Sequence, residues 1–309
     1  MSSGWNTIDS DAGVFSELVE KLGVHDVQID ELYSIDTESL RALAPVYAVI
    51  FLFKYGNLDK EFAAKNEPID GVYDPDYQDK GIFFANQTIQ NACATQAVLN
   101  SLLNKTDDID VGEELGNIKL FIAGFDSEMC GETISNSETI RTVHNSFSAP
   151  RFIDSSELPR PEVDSKDDGL FHFVTFLNLN NTIYELDGLK RYPIIHDRLD
   201  SPEDFYEKLP GVLQRRIAKY SGEIRFSLLA ITNNKLNQYQ LTGDAQGVEQ
   251  ELAKRETWSS ENALRRHDFP RLSIELLKNI SHDMDDDEWE KLLLLAKEAA
   301  MKRYQQLKK

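Results

Sequence analysis

Residues 82–103 read IFFANQTIQNACATQAVLNSLL. The first four are apolar and close a buried segment. A polar patch, Asn86-Gln87-Thr88, follows, and then a helix that is small and polar at its start and apolar at its end. Val98, Leu99, Leu102 and Leu103 recur at helical spacing, so the later turns face a core. Ala92, Ala94 and Ala97 leave almost no bulk around Cys93, and a neighbouring strand can approach it closely. A cysteine in a first helical turn meets unpaired backbone N–H groups and the positive end of the helix dipole, and both favour a thiolate.

A lone cysteine in an apolar helix is usually an inert small hydrophobe. Gln87, six residues upstream, argues for more. Its amide can aim at the oxygen of a carbonyl under attack by Cys93 and, with the Cys93 backbone N–H, form an oxyanion hole. Such chemistry needs a histidine and an orienting acid elsewhere in the chain.

The hairpin after the middle of the chain supplies both. Leu170–Leu179 and Thr182–Leu186 flank Asn180-Asn181, a pair suited to the positive φ angles of a two-residue turn. That turn makes Leu179 oppose Thr182, so Val174 opposes Asp187 and His172 opposes Leu189. His172 and Asp187 become diagonal neighbours on one face, about 7–8 Å apart at the backbone, a gap that imidazole and carboxylate can bridge. A slip of one residue would separate them. Taken alone, His172 reads as a satisfied core histidine and Asp187 as a turn residue before Gly188; their shared face, with Gln87 and Cys93, reads as a site. The other histidines, His25, His144, His196, His267 and His282, have no comparable partner in the sequence.

Composition bounds the rest. The 309 residues carry 33 basic and 53 acidic side chains, a net charge of −20, so nucleic acid and anionic membranes are poor partners and a basic partner suits better. Hydrophobic residues make up 41%, enough for a full core. Two cysteines give no disulfide framework and suit a reducing compartment. The start, MSSGWNTIDSD, lacks the pattern of a signal peptide, and the longest apolar run, Val46–Phe53, is too short to cross a bilayer. A soluble cytoplasmic or nuclear protein is expected. With no Cys-x-x-Cys or His-x-x-x-His pattern and no glycine-rich phosphate loop, no metal site or cofactor is expected.

Along the chain, Ser10 or Asp11 caps a first helix closed by Gly23, and a short helix over Thr37–Leu43 stops at Pro45. Val46–Lys54 reads as a central strand, and the polar stretch Lys60–Lys80 as a loop. Helices are predicted over Val111–Phe125, Ser127–Ile134, Ser137–Phe147 and Pro202–Tyr220, and a last core strand over Ile224–Thr232. Ser148–Gly169, with three prolines and six acids, reads as a long mobile loop. Residues 234–260 read as a solvated helix or linker, and the amphipathic stretch from Glu261 onward is too small for its own core and must dock on something.

Four segments together resemble a family. Gln87-Thr88-Ile89-Gln90-Asn91-Ala92-Cys93-Ala94-Thr95-Gln96-Ala97 is similar to the active-site segment of ubiquitin C-terminal hydrolases, the papain-like deubiquitinating cysteine proteases. Phe171–Val174 and Tyr184–Leu189 resemble the family's histidine and aspartate segments, and Arg141–Phe147 also matches. The resemblance implies an α+β fold, a largely antiparallel central sheet flanked by helices. It implies a deubiquitinating thiol protease with Cys93 as nucleophile, His172 as general base and acid, Asp187 orienting the histidine and Gln87 in the oxyanion hole. Tyr33 and Leu189 are expected ubiquitin contacts by motif position. The loop Ala149–Gly169 is expected to cross the active site and filter leaving groups by size. Arg265–Pro270 and Ile274–Lys278 resemble the C-terminal region of the longer, proteasome-associated subgroup, whose tail binds the proteasome's ubiquitin receptor; Lys297–Arg303 is a looser match. The implied organisation is a catalytic domain over 1–233, a helical linker over 234–260 and a helical extension over 261–309. Two other readings are a catalytically silent ubiquitin-binding adaptor and an unrelated papain-like hydrolase or acyltransferase acting on small substrates.

Overall fold

The computed structural model describes residues 4–148, 171–220 and 225–307, with side chains to residue 303. The expected loop over Ser148–Gly169 lies, beyond its first residue, outside the described residues. The chain forms two compact units, one running to Arg265 and one beginning at Arg266.

The first unit is built on a seven-stranded sheet. Its strands are β1 (Val27–Glu31), β2 (Val46–Lys54), β3 (Val72–Tyr73), β4 (Phe171–Leu179), β5 (Thr182–Leu186), β6 (Ile194–Arg198) and β7 (Ser227–Asn233). Their spatial order is β1-β7-β2-β4-β5-β6-β3, and every pairing among the described residues is antiparallel. This is the α+β class expected. β2 lies between β7 and β4, buried on both faces, as its run of Val, Ile and Phe requires.

Two apolar layers cover the sheet. On one face pack α1 (Ala12–Lys21) and α4 (Cys93–Leu102), with α5 (Gly112–Phe121), α6 (Ser127–Asn136) and α7 (Glu138–Asn145) beyond them. On the other face α2 (Thr37–Ala42) and α8 (Phe205–Ala218) cover Val49, Phe51, Phe53, Val174 and Phe176. The caps follow the sequence: Asp11 accepts hydrogen bonds from the N–H groups of Gly13 and Val14, and Asp36 from that of Ser39. Each such cap contributes about 1 kcal/mol.

One expectation changes, and two further segments gain detail that the sequence did not show. The predicted loop Lys60–Lys80 contains the end of α3 (Asn57–Lys65) and all of β3. Tertiary contacts override its polarity: Asp59 is buried, its carboxylate accepting from the Gly56 N–H and from the Tyr220 hydroxyl, and Asn66 closes the helix at φ 54°. β6 went unread because its sequence, IIHDR, carries three polar residues; His196 in it donates to the buried Glu185. Residues 234–260 form α9 (Lys235–Thr242) and most of α10 (Ala245–Arg266), a helix that continues past residue 260. α10 packs on α1: Trp258 lies where a Cβ on Gly13 would sit, 2.6 Å from it, and the Asn262 amide donates to the Gly13 carbonyl and to Glu17.

The second unit carries α11 (Phe269–Asp283), capped by Asp268, and α12 (Asp286–Leu307). On α11, Leu272, Ile274, Leu276, Leu277 and Ile280 are exposed. Among the described residues, no helix is long and apolar enough to cross a membrane.

Candidate active site

The hairpin register sets the first two residues of the site. Asn180 and Asn181 adopt φ of 50° and 55°, and Leu179 pairs with Thr182 and Thr175 with Leu186, as the two-residue turn requires. His172 and Asp187 therefore share a face, and His172 Nε2 lies 2.7 Å from Asp187 Oδ1. Both are almost fully buried. The imidazole is held edge-on by two rings, Phe53 at 5.8 Å and Tyr55 at 6.0 Å between centroids. Phe53 is its register partner on β2.

Cys93 opens α4 and is partly exposed. With Nε2 of His172 committed to Asp187, Nδ1 is the ring nitrogen left to serve Cys93, which lines the same cleft. Burial alone would lower the His172 pKa, but the Asp187 carboxylate and the Cys93 sulfur outweigh it and raise the value. Burial alone would raise the Asp187 pKa, and His172, the Leu189 N–H and the positive charge of Lys190 lower it. The histidine's contribution to stability is complete below the ordinary imidazole pKa and is lost as pH climbs through the raised value. The aspartate's contribution is present above the ordinary carboxylate pKa and is lost as pH falls through the lowered value. The ion pair thus spans the neutral range.

The segment before Cys93 is fixed by a ladder of side-chain amides. Gln96 and Asn100 on α4 and Asn104 just past its end, four residues apart, all face residues 83–85. Asn104 accepts from the Phe83 N–H at 2.8 Å and donates to its carbonyl at 2.7 Å. Asn100 does the same for Ala85, and Gln96 donates to the Ala85 carbonyl. These side chains stand in for a missing neighbouring strand, pairing the backbone groups of Phe83 and Ala85, which lie outside the sheet. Gln87 comes next. Its N–H donates to the Gly188 carbonyl at 2.8 Å. Its side-chain Nε2 donates to the Ile89 carbonyl at 3.0 Å, leaving one N–H of the amide, and its Oε1 is buried without a partner among the described residues. Gly188 allows a close approach here: a Cβ would lie 3.0 Å from Gln87 N and 3.1 Å from Gln87 Cβ, so either would have to give by a few tenths of an ångström.

Cys93, His172 and Gln87 line one cleft of about 690 Å³, with Leu189, Tyr55 and Leu52. Leu189 is 43% exposed within it. Tyr33, exposed at 90%, is not among the residues that line it. One wall is the N-terminal segment Thr7–Ser10. That segment is anchored through His144, whose sequence gave no hint of a partner: Nε2 donates to the Asn6 carbonyl at 2.6 Å, and Nδ1 lies 2.7 Å from Thr95 Oγ1. The carbonyl can only accept, which fixes the tautomer, and burial lowers the His144 pKa. The second cysteine, Cys130, is buried in α6 and its thiol is pushed up to about 11 by burial and by Asp126. Among the described residues no group of acidic, histidine or cysteine side chains could hold a metal ion.

Comparison with known proteins identifies close relatives. A family model described as ubiquitin carboxyl-terminal hydrolase, family 1, matches residues 5–218. The chain is 45% identical over 302 residues to ubiquitin carboxyl-terminal hydrolase 2 of Schizosaccharomyces pombe, covering 95% of this chain and 96% of that one. It is 44% identical over 241 residues to ubiquitin carboxyl-terminal hydrolase isozyme L5 of Dictyostelium discoideum, covering 77% of this chain and 65% of the other. Among solved structures, the crystal structure of Trichinella spiralis UCH37 bound to ubiquitin vinyl methyl ester superposes with a TM-score of 0.62 at 29% identity, covering 85% of this chain and 99% of that chain.

Proposed function

The chain belongs to the ubiquitin carboxyl-terminal hydrolase family, a family of cysteine-type ubiquitinyl hydrolases, and from that premise we propose that Cys93, His172, Asp187 and Gln87 carry its reaction. The single observation that supports this most is the buried His172–Asp187 pair at 2.7 Å, in the cleft that Cys93 also lines.

Cys93 Sγ attacks the carbonyl carbon of ubiquitin's C-terminal glycine, and the carbonyl oxygen takes up the negative charge. The free N–H of the Gln87 amide and the Cys93 backbone N–H, which opens α4 and has no helical acceptor, stabilise that oxyanion. His172, as imidazolium, protonates the leaving amine as the C–N bond breaks, giving a thioester and a neutral imidazole. The imidazole then takes a proton from water, which attacks the thioester and releases ubiquitin's carboxylate and the thiol. Asp187 fixes the ring and stabilises its charged form. The ubiquitin bound in the Trichinella structure supports ubiquitin as the substrate, and its basic tail suits a chain of net charge −20. Leu189, in the cleft, would contact that tail; Tyr33 would act only on a more distant part of ubiquitin.

The test is hydrolysis of ubiquitin carrying a fluorophore amide at its C-terminus. Turnover is expected; binding without turnover would make the chain an adaptor. In the same assay Asp187→Asn should lose about 10²- to 10⁴-fold. An asparagine oxygen can keep the place of Oδ1, which accepts from both His172 and the Leu189 N–H, so the ring stays oriented while the charge is lost. Because that charge holds the His172 pKa up, the alkaline limb of the rate profile should move to lower pH. An unchanged rate and an unmoved alkaline limb would remove Asp187 from the mechanism.

Residues 1–233 form the catalytic part in this reading, and the helical extension binds a proteasomal ubiquitin receptor. The exposed apolar side chains of α11 support a partner there. Truncation after Arg265 should abolish co-purification with proteasomes; undiminished recovery would assign the extension another role.

A further inference from the structure

We propose that Asn86 is a positioning residue, whose side-chain amide ties the turn bearing Asp187 to the segment bearing Gln87 and so sets His172 and the oxyanion donor in one frame. This rests on the catalytic reading above.

The Asn86 Nδ2 group donates to the carbonyls of Lys190, at 2.6 Å, and Gly188, at 3.2 Å. Both partners are pure acceptors, so the amide can face only one way. Within the turn, the Lys190 N–H donates to the Asp187 carbonyl and the Leu189 N–H to Asp187 Oδ1, both at 2.9 Å. Lys190 is therefore gripped on both sides: its N–H closes the turn on Asp187, and its carbonyl is held by Asn86. The turn has little freedom to carry the Asp187 carboxylate away from His172.

Asn86 can serve as a fixed post because it is itself immobilised. Its N–H donates to the Ser127 carbonyl at 2.8 Å. Its own carbonyl lies against Gly131 of α6, where a Cβ would come within 2.0 Å of the oxygen. On its other side the next residue, Gln87, donates its N–H to the Gly188 carbonyl that Asn86 also holds. One side chain thus registers two loops that come from positions 102 and 104 residues apart. Misplacing a reacting group by about 1 Å costs about 100-fold in rate, so a tether that prevents smaller shifts carries real catalytic weight without touching substrate.

The test uses the full-length chain with two substitutions. Asn86→Asp keeps the shape but turns a carboxylate toward two carbonyl oxygens; Asn86→Ala removes the donors and carries the same test if the aspartate variant does not fold. On ubiquitin-fluorophore amide, kcat should fall about tenfold for the alanine and further for the aspartate, with KM within about twofold. The NMR titration of the His172 imidazole should shift to lower pH. The groups facing that ring are Asp187, Cys93, Phe53 and Tyr55, and the turn that Asn86 holds carries only Asp187. An unchanged kcat and an unmoved His172 titration, with only a lower melting temperature, would make Asn86 a purely structural residue and overturn the proposal. So would a rise in KM at constant kcat, which would assign it to substrate binding. Failure of the catalytic reading shows itself separately, as turnover that survives Cys93→Ala with Asn86 intact.

Discussion

Cys93→Ala is expected to abolish hydrolysis of ubiquitin conjugates, a loss of at least about 10⁴-fold, while ubiquitin binding stays within a few-fold of the parent. Removing the nucleophile from a catalytic set that works as a unit typically removes nearly all its power. The substitution should be structurally mild. Cys93 opens α4, alanine is the best helix former, and Ala92 and Ala94 on either side are already buried. His172 keeps its 2.7 Å contact to Asp187 and its edge contacts to Phe53 and Tyr55, so the cleft keeps its shape. The measurement is paired: turnover of a ubiquitin-fluorophore amide, and the dissociation constant for ubiquitin by calorimetry. Lost binding together with lost turnover would mean that the alanine disturbs the cleft, and the kinetic result would then say nothing of chemistry. Retained turnover would contradict the assignment of Cys93.

Gln87→Ala should lower kcat by about 10²–10³-fold with little change in KM, because an oxyanion donor acts mainly in the transition state. The Gln87 amide spends one N–H on the Ile89 carbonyl and has one to give. Its backbone N–H still holds the Gly188 carbonyl in the alanine variant, so the frame around Asp187 is preserved. The loss should therefore be confined to the chemical step. The check is single-turnover kinetics of thioester formation against ubiquitin affinity for the same variant. A pure affinity loss at constant kcat would reassign Gln87 to substrate positioning.

Much of this site is legible in the sequence because its elements are locally encoded. The Asn180-Asn181 turn fixes a hairpin register, and the register alone brings His172 and Asp187 to one face. The small residues around Cys93 and the periodic Val98, Leu99 and Leu102 define a helix with a close-packed start. Segments whose structure depends on distant partners are harder to read. α3 looks like loop until Tyr220 and Arg216 are known to surround Asp59. β6 looks too polar for a strand until Glu185 is placed beside His196. The part of α10 before residue 261 looks solvated because Trp258 alone is too little to make a periodic pattern, yet that ring packs on Gly13 of α1. The amide ladder of Gln96, Asn100 and Asn104 does carry a sequence signal, a polar residue every fourth position along an apolar helix and the turn that ends it. It is a sign that backbone from outside the sheet lies along these residues.

The most direct measurement is reaction of the full-length chain with ubiquitin bearing a C-terminal electrophile, followed by peptide mapping of the adduct. Cys93 lies in the cleft beside His172, while Cys130 is buried with its thiol pushed up to about 11. A single adduct on Cys93, absent in Cys93→Ala, is the predicted result. An adduct on Cys130, or no adduct from protein that binds ubiquitin, would contradict it.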